Sequence, residues 1–93
     1  MVEKIRRNVS LGSNIRCLRM KHKMTQRQVV AKLQLRGSKT SRETYAKIES
    51  GLNNINVTDL VILHEIWKED YNAFFEGMKA PEVKKNKKEV SEK

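Results

Sequence analysis

Apolar positions in this 93-residue chain recur at three- and four-residue spacing between Leu11 and Phe75, and no stretch alternates strictly in twos. That period predicts helices and argues against strands. Five short helices account for it. The first runs from about Leu11 to His22, with Leu11, Ile15, Leu18 and His22 on one stripe. Cys17 falls beside that stripe, which predicts a partly exposed thiol. The second starts at "TQRQ", where Thr25 and Gln28 form a capping box. Val29, Val30 and Leu33 then face inward, and Gly37 marks the chain turning away. The third is "SRETYAKIESG", residues 41–51. Its cap is either Ser41 alone or Thr40 with Glu43 as box partner, and Gly51 suits a left-handed stop. The fourth starts at Asn56, with Ile55 and Leu60 placed as a hydrophobic staple. Leu60, Leu63 and Trp67 line one side, with Val57 and His64 beside them. The fifth is short, capped by Asp70 and carrying Tyr71, Phe74 and Phe75. Two adjacent phenylalanines on so short a helix cannot share one buried face.

The flanks differ from this middle. Residues 1–10 form a basic arm without a core-forming period. Residues 79–93 hold the only proline, many lysines and almost no large apolar side chain. Such a segment cannot offset its ordering entropy by burial, and disorder is expected there. The expected domain therefore spans residues 11–78 and is all-α.

Charge sharpens the picture. The chain carries 20 basic and 11 acidic residues, a net charge of +9. Between Leu11 and Gly51, ten basic residues face only Glu43 and Glu49. Between Leu52 and Met78, Lys68 alone faces Asp59, Glu65, Glu69, Asp70 and Glu76. One half is basic and the other acidic, and a basic face is the footprint of a polyanionic partner. The lone Cys17 excludes an internal disulfide, and His22 and His64 lack co-ligands for zinc. His64 is therefore expected at a core edge. No Gly-rich phosphate loop, nucleophile–base pair or metal cluster is visible, so neither catalysis nor a cofactor is expected. No apolar run approaches the ~20 residues of a membrane span and no cleavable leader is visible, so a soluble cytoplasmic protein is expected.

The third helix has a thin apolar face, Tyr45 and Ile48, and a broad polar one. Two short helices joined by a connector, the second polar outside, describe a helix-turn-helix. "MTQRQVVAKL", then "SRETYAKIESG", then an apolar fourth helix resembles the Cro/repressor-like (lambda-repressor-like, XRE) helix-turn-helix family over about Leu11 to Phe75. The motifs that carry the resemblance are "TQ", "IESG" and Arg19. It implies a five-helix DNA-binding domain whose third helix reads the major groove.

On that resemblance Arg42, Glu43 and Lys47 meet base edges, with Thr44 near the backbone or a thymine methyl. The chemistry fits. Arginine and lysine match the acceptors of guanine, and glutamate accepts from cytosine N4. Glu43 can equally serve the cap, and Lys47 can be a solvated or phosphate-contacting side chain. Gln26 stands where the family contacts phosphate at the second helix's N-terminus, and Asn53 and Asn54 stand where it contacts the backbone from the following loop. Arg27, Lys39 and Asn14 are further backbone candidates. Arg19 and Glu49 match the family's internal salt bridge, which makes Glu49 structural. Tyr45 stands where an aliphatic core residue is usual.

Two departures stand out. The connector "LQLRGSKT" is about five residues longer than the family's tight turn, and it adds Arg36, Ser38 and Lys39 near the expected DNA surface. "KED" replaces the glycine after the fourth helix. The expected function is a sequence-specific regulator of transcription, a repressor acting as a homodimer on two-fold duplex DNA. The alternative is an antitoxin or anti-repressor that meets a protein partner through its acidic, aromatic-rich half.

Overall fold

The computed structural model describes residues 10–78. The segments 1–9 and 79–93, which include most of the basic arm and all of the lysine-rich tail, lie outside the described residues. Five helices form, α1 (Leu11–Lys21), α2 (Gln26–Leu35), α3 (Arg42–Ser50), α4 (Val57–Trp67) and α5 (Tyr71–Phe74), with no strand among the described residues. No helix in this range is long and apolar enough to cross a membrane.

Each helix starts where a polar side chain satisfies its orphan amides. Ser10 caps α1 through a box with Ser13, so the last residue of the expected arm belongs to the domain. Thr25 and Gln28 form the expected box, with Gln28 N donating to Thr25 Oγ1 at 3.1 Å and Thr25 N donating to Gln28 Oε1 at 2.8 Å. Ser41 alone caps α3, its hydroxyl accepting from Thr44 N at 3.1 Å. The Thr40–Glu43 box does not form, because the Thr40 hydroxyl is buried against Asp59 instead. Asn56 caps α4 and Asp70 caps α5. At the other ends Gly37 (φ 95°) and Gly51 (φ 87°) take left-handed conformations that a Cβ would strain.

The core joins Ile15 and Leu18 of α1, Val29, Val30 and Leu33 of α2, Tyr45 and Ile48 of α3, Ile62, Leu63 and Trp67 of α4, and Phe74 of α5. Burying each side chain contributes roughly 1.5–3 kcal/mol. Ile55 and Leu60, the expected staple, pack partly buried against the core. The α4 stripe differs from the sequence reading. Asp59 and Ile62 are buried, and Val57 is 75% exposed. The inward face of α4 follows positions 59, 62, 63 and 67, which puts Val57 on the other side. Phe74 is fully buried and Phe75 is 44% exposed, so the adjacent phenylalanines do part. Cys17 is exposed.

Helix α1 packs on α3 and α5, and α2 packs on α3 and α4. The α1–α3 crossing depends on Gly12. A Cβ at that position would lie 2.1 Å from the Ile48 carbonyl oxygen and 3.0 Å from that of Glu49. Both obstacles are backbone and cannot swing aside. Gly12→Ala would gain up to about 1 kcal/mol of helix propensity, but overpacking costs about 1–3 kcal/mol and forces α1 off α3. The net destabilisation is expected to lower the thermal midpoint by several degrees, since about 1 kcal/mol shifts a domain of this size by roughly 4–8 °C. Calorimetry of the two chains measures it.

Candidate functional site

Helix α3 presents two faces. Tyr45, Ile48 and Glu49 are buried, while Arg42, Glu43, Lys47 and Ser50 stand in solvent and Thr44 is half-buried. Apolar contact alone does not fix the helix, because it is non-directional. Two sets of polar bonds add direction.

At the C-terminal end Glu49 meets Arg19 of α1 in a two-point pair. Arg19 Nε donates to Oε2 at 2.7 Å and Nη2 to Oε1 at 3.1 Å. Arg19 Nη1 also donates to the Met24 carbonyl at 2.9 Å, and Gln26 Nε2 donates to Glu49 Oε1 at 3.0 Å. One carboxylate thus ties α1, the start of α2 and the end of α3. Burial pushes the Glu49 carboxyl up, but Arg19, Tyr45 and Gln26 outweigh it and hold the group below its ordinary value. Beside this pair the Tyr45 hydroxyl is buried without a partner in hydrogen-bonding geometry. Burial, reinforced by the Glu49 carboxylate, pushes that phenol up and keeps it neutral.

At the N-terminal end the long connector is ordered by its own bonds. Ser38 N donates to Leu33 O and Gly37 N to Gln34 O, each at 3.0 Å, closing the end of α2. Thr40 N donates to Ser38 Oγ at 3.0 Å, and Gln34 Nε2 donates to Thr40 O at 3.1 Å. The Thr40 hydroxyl then donates to the carboxylate of Asp59, which is 1% exposed in the first turn of α4. Arg36, expected beside the basic surface, turns back to pair with Glu65 of α4.

The residues singled out from sequence fall into three places. Gln26, Arg27 and Arg42 line one open hollow together with Arg19, Met24 and Thr25. The hollow lies at the N-terminus of α2, the end of a helix that favours an anion. Glu43 and Lys47 share the outer face of α3, with Lys47 Nζ 3.9 Å from the Glu43 carboxylate. That spacing and exposure make the pair weak and easily exchanged for another partner. Thr44 Oγ1 accepts from Ser41 Oγ at 3.1 Å. Lys39 is exposed in the connector just before α3, and Asn53 and Asn54 are exposed just after it. The Asn53 amide closes on the Lys47 carbonyl at 3.2 Å.

Asn14 is in a different setting. Its Nδ2 donates to the carbonyls of Phe74 at 2.9 Å and Glu76 at 3.0 Å, tying α1 to the end of α5. His64 is half-buried, its ring stacked on Tyr71 at 3.9 Å with Nδ1 2.7 Å from the Glu69 carbonyl.

Asp59 and Thr40 were not identified from sequence as site residues. A signal for Asp59 existed: an acidic residue on the apolar stripe shared by Ile62, Leu63 and Trp67. The chain matches no family model, no curated protein and no solved structure.

Glu49 makes stability depend on acid. Its folded-state value lies below the ordinary 4.5, so its contribution is present above pH 4.5 and is lost as pH falls through the folded-state value. Glu49→Gln leaves Arg19 without its counter-charge and is expected to cost about 3–5 kcal/mol near neutrality. In urea titrations across pH, the gap between the two chains should be flat above about pH 5 and narrow below it.

Proposed function

We propose that this chain is a sequence-specific duplex-DNA-binding regulator of transcription, a repressor working as a homodimer on a two-fold operator. In this reading the five helices form a lambda-repressor-like helix-turn-helix domain, the protein acts in the cytoplasm, and it binds without catalysing. One observation carries the reading. A helix tied by directional polar bonds at its C-terminal end and just before its N-terminal cap holds Arg42, Glu43 and Lys47 outward, beside a hollow that gathers Arg19, Gln26, Arg27 and Arg42. A helix that only filled a core would have no use for so polar and cationic a face.

The parts suit distinct contacts. Arg42 and Lys47 match guanine O6 and N7, and Glu43, freed from capping, matches cytosine N4. Gln26, Arg27, Lys39, Thr44, Asn53 and Asn54 suit phosphates, which fix register without reading sequence. Asn14, occupied by α5, suits this role least. Glu49 is internal and does not oppose the phosphates, because Arg19 neutralises it.

A second reading has its own support. Tyr71, Phe75 and Met78 are 38%, 44% and 39% exposed, in the same acidic segment as Asp70 and Glu76. That surface suits a protein partner of the antitoxin or anti-repressor type, or the second subunit of the dimer.

Selection from a random duplex pool should yield a two-fold motif with half-sites roughly 34 Å apart. Against that motif, Arg42→Ala and Lys47→Ala should each cost about 1–3 kcal/mol and relax base preference at one position per half-site. Gln26→Ala should weaken all sequences alike. Unchanged affinity in both α3 variants removes the base-reading assignment.

A further inference from the structure

The long connector raises the question of what aims α3. At its C-terminal end the Arg19–Glu49 pair serves as a pivot. Toward its N-terminal end Tyr45 sets the distance to the core, but apolar contact leaves tilt soft. Directional control there comes through Thr40, just before the Ser41 cap. Its carbonyl accepts from Gln34, a residue in solvent where water competes for the bond. Its hydroxyl donates to Asp59, which is buried, and a charged acceptor out of water makes the stronger bond. Asp59 is itself held. Its amide donates to Asn56 Oδ1 at 2.8 Å, Asn56 Nδ2 lies 3.4 Å from Oδ2, and the carboxylate sits at the positive end of α4.

We propose that Asp59 is a positioning residue for sequence reading. Acting through Thr40, it sets the tilt of α3 and thereby which base Arg42 reaches. The inference rests on the DNA-binding reading above. Geometry makes the effect unequal along the helix. From the pivot at Glu49, Arg42 lies roughly 10 Å away and Lys47 roughly 3 Å. A tilt of about 10° then moves Arg42 by about 2 Å and Lys47 by about 0.5 Å. The first displacement breaks a hydrogen bond, whose length tolerates only about 0.5 Å, and the second does not. The connector is thus a spacer whose far end is fastened to α4, with Arg36–Glu65 as an exposed second tie.

The test uses the full chain, with Thr40→Val removing the donor and Thr40→Ser restoring it. Residual dipolar couplings report the angle of α3 against α4, and fluorescence anisotropy reports binding to the selected duplex and to a scrambled one. In Thr40→Val the α3 couplings should change while those of α1 and α2 persist. Affinity for the selected duplex should fall about tenfold, the loss of one good base contact. Affinity for the scrambled duplex should stay within about twofold, because phosphate contacts carry it. Base preference should relax at the position read by Arg42 and persist at the one read by Lys47. Thr40→Ser should behave as the parent chain.

An unchanged α3 angle, or equal losses on both duplexes, overturns the proposal. If Thr40→Val does not fold, Thr40→Ala carries the same comparison. A parent chain with no duplex preference sinks the DNA reading, and the couplings alone then decide whether Asp59 aims the helix.

Discussion

The placement of α3 depends on two buried carboxylates that come from different parts of the chain. Glu49 lies on α3 itself and is held by Arg19 of α1 and Gln26 of α2. Asp59 lies on α4 and reaches the residue just before the α3 cap. A buried ion is costly unless fully paired, and a buried pair does little for net stability against a well-packed apolar substitute. What such bonds supply here is direction. They fix how α3 sits on a small core that would otherwise hold it only by non-directional contact.

The same arrangement accounts for the split in charge. Carboxylates in the α2–α3 half are scarce, and the one that is buried is cancelled by Arg19. The outward surface of that half keeps its cations. The acidic residues of α4 and the following segment serve inside the domain: Asp59 on Thr40, Glu65 on Arg36, and Glu69 between Lys21 and His22, with Nζ 2.9 Å and Nε2 2.6 Å from its carboxylate. The acidic half is thus partly a set of ties to the basic half, and in the proposed reading this leaves the α3 face free for a polyanion. Exposed Tyr71 and Phe75 remain outside that scheme and mark where a protein surface would add to it.

The elements were legible because their signals are local. The Thr25–Gln28 box, the Asn56 cap and the left-handed Gly37 and Gly51 each need only a few neighbouring residues. The Arg19–Glu49 pair spans 30 positions and was visible only through a family resemblance. Other features depended on a tertiary partner and were not legible. Nothing next to Gly12 in the chain shows that the backbone of α3 passes over it. Arg36 looked like part of a basic surface, yet it pairs with Glu65 of α4 while staying exposed. Asn14 was grouped with phosphate ligands, and its amide ties α1 to the chain after α5. The Thr40–Asp59 bond settles the choice of cap for α3 and frees Glu43, which local pattern left divided between two uses.

The most direct test of α3 as a DNA-reading surface is to titrate a selected duplex into the ¹⁵N-labelled chain and follow amide shifts by NMR. The expected result is a contiguous footprint on Gln26, Arg27, Arg42 to Lys47, Asn53 and Asn54, with α4 and the outer side of α5 unmoved apart from any dimer contact. A footprint centred on Asp70 to Met78, or no shift at all, contradicts it.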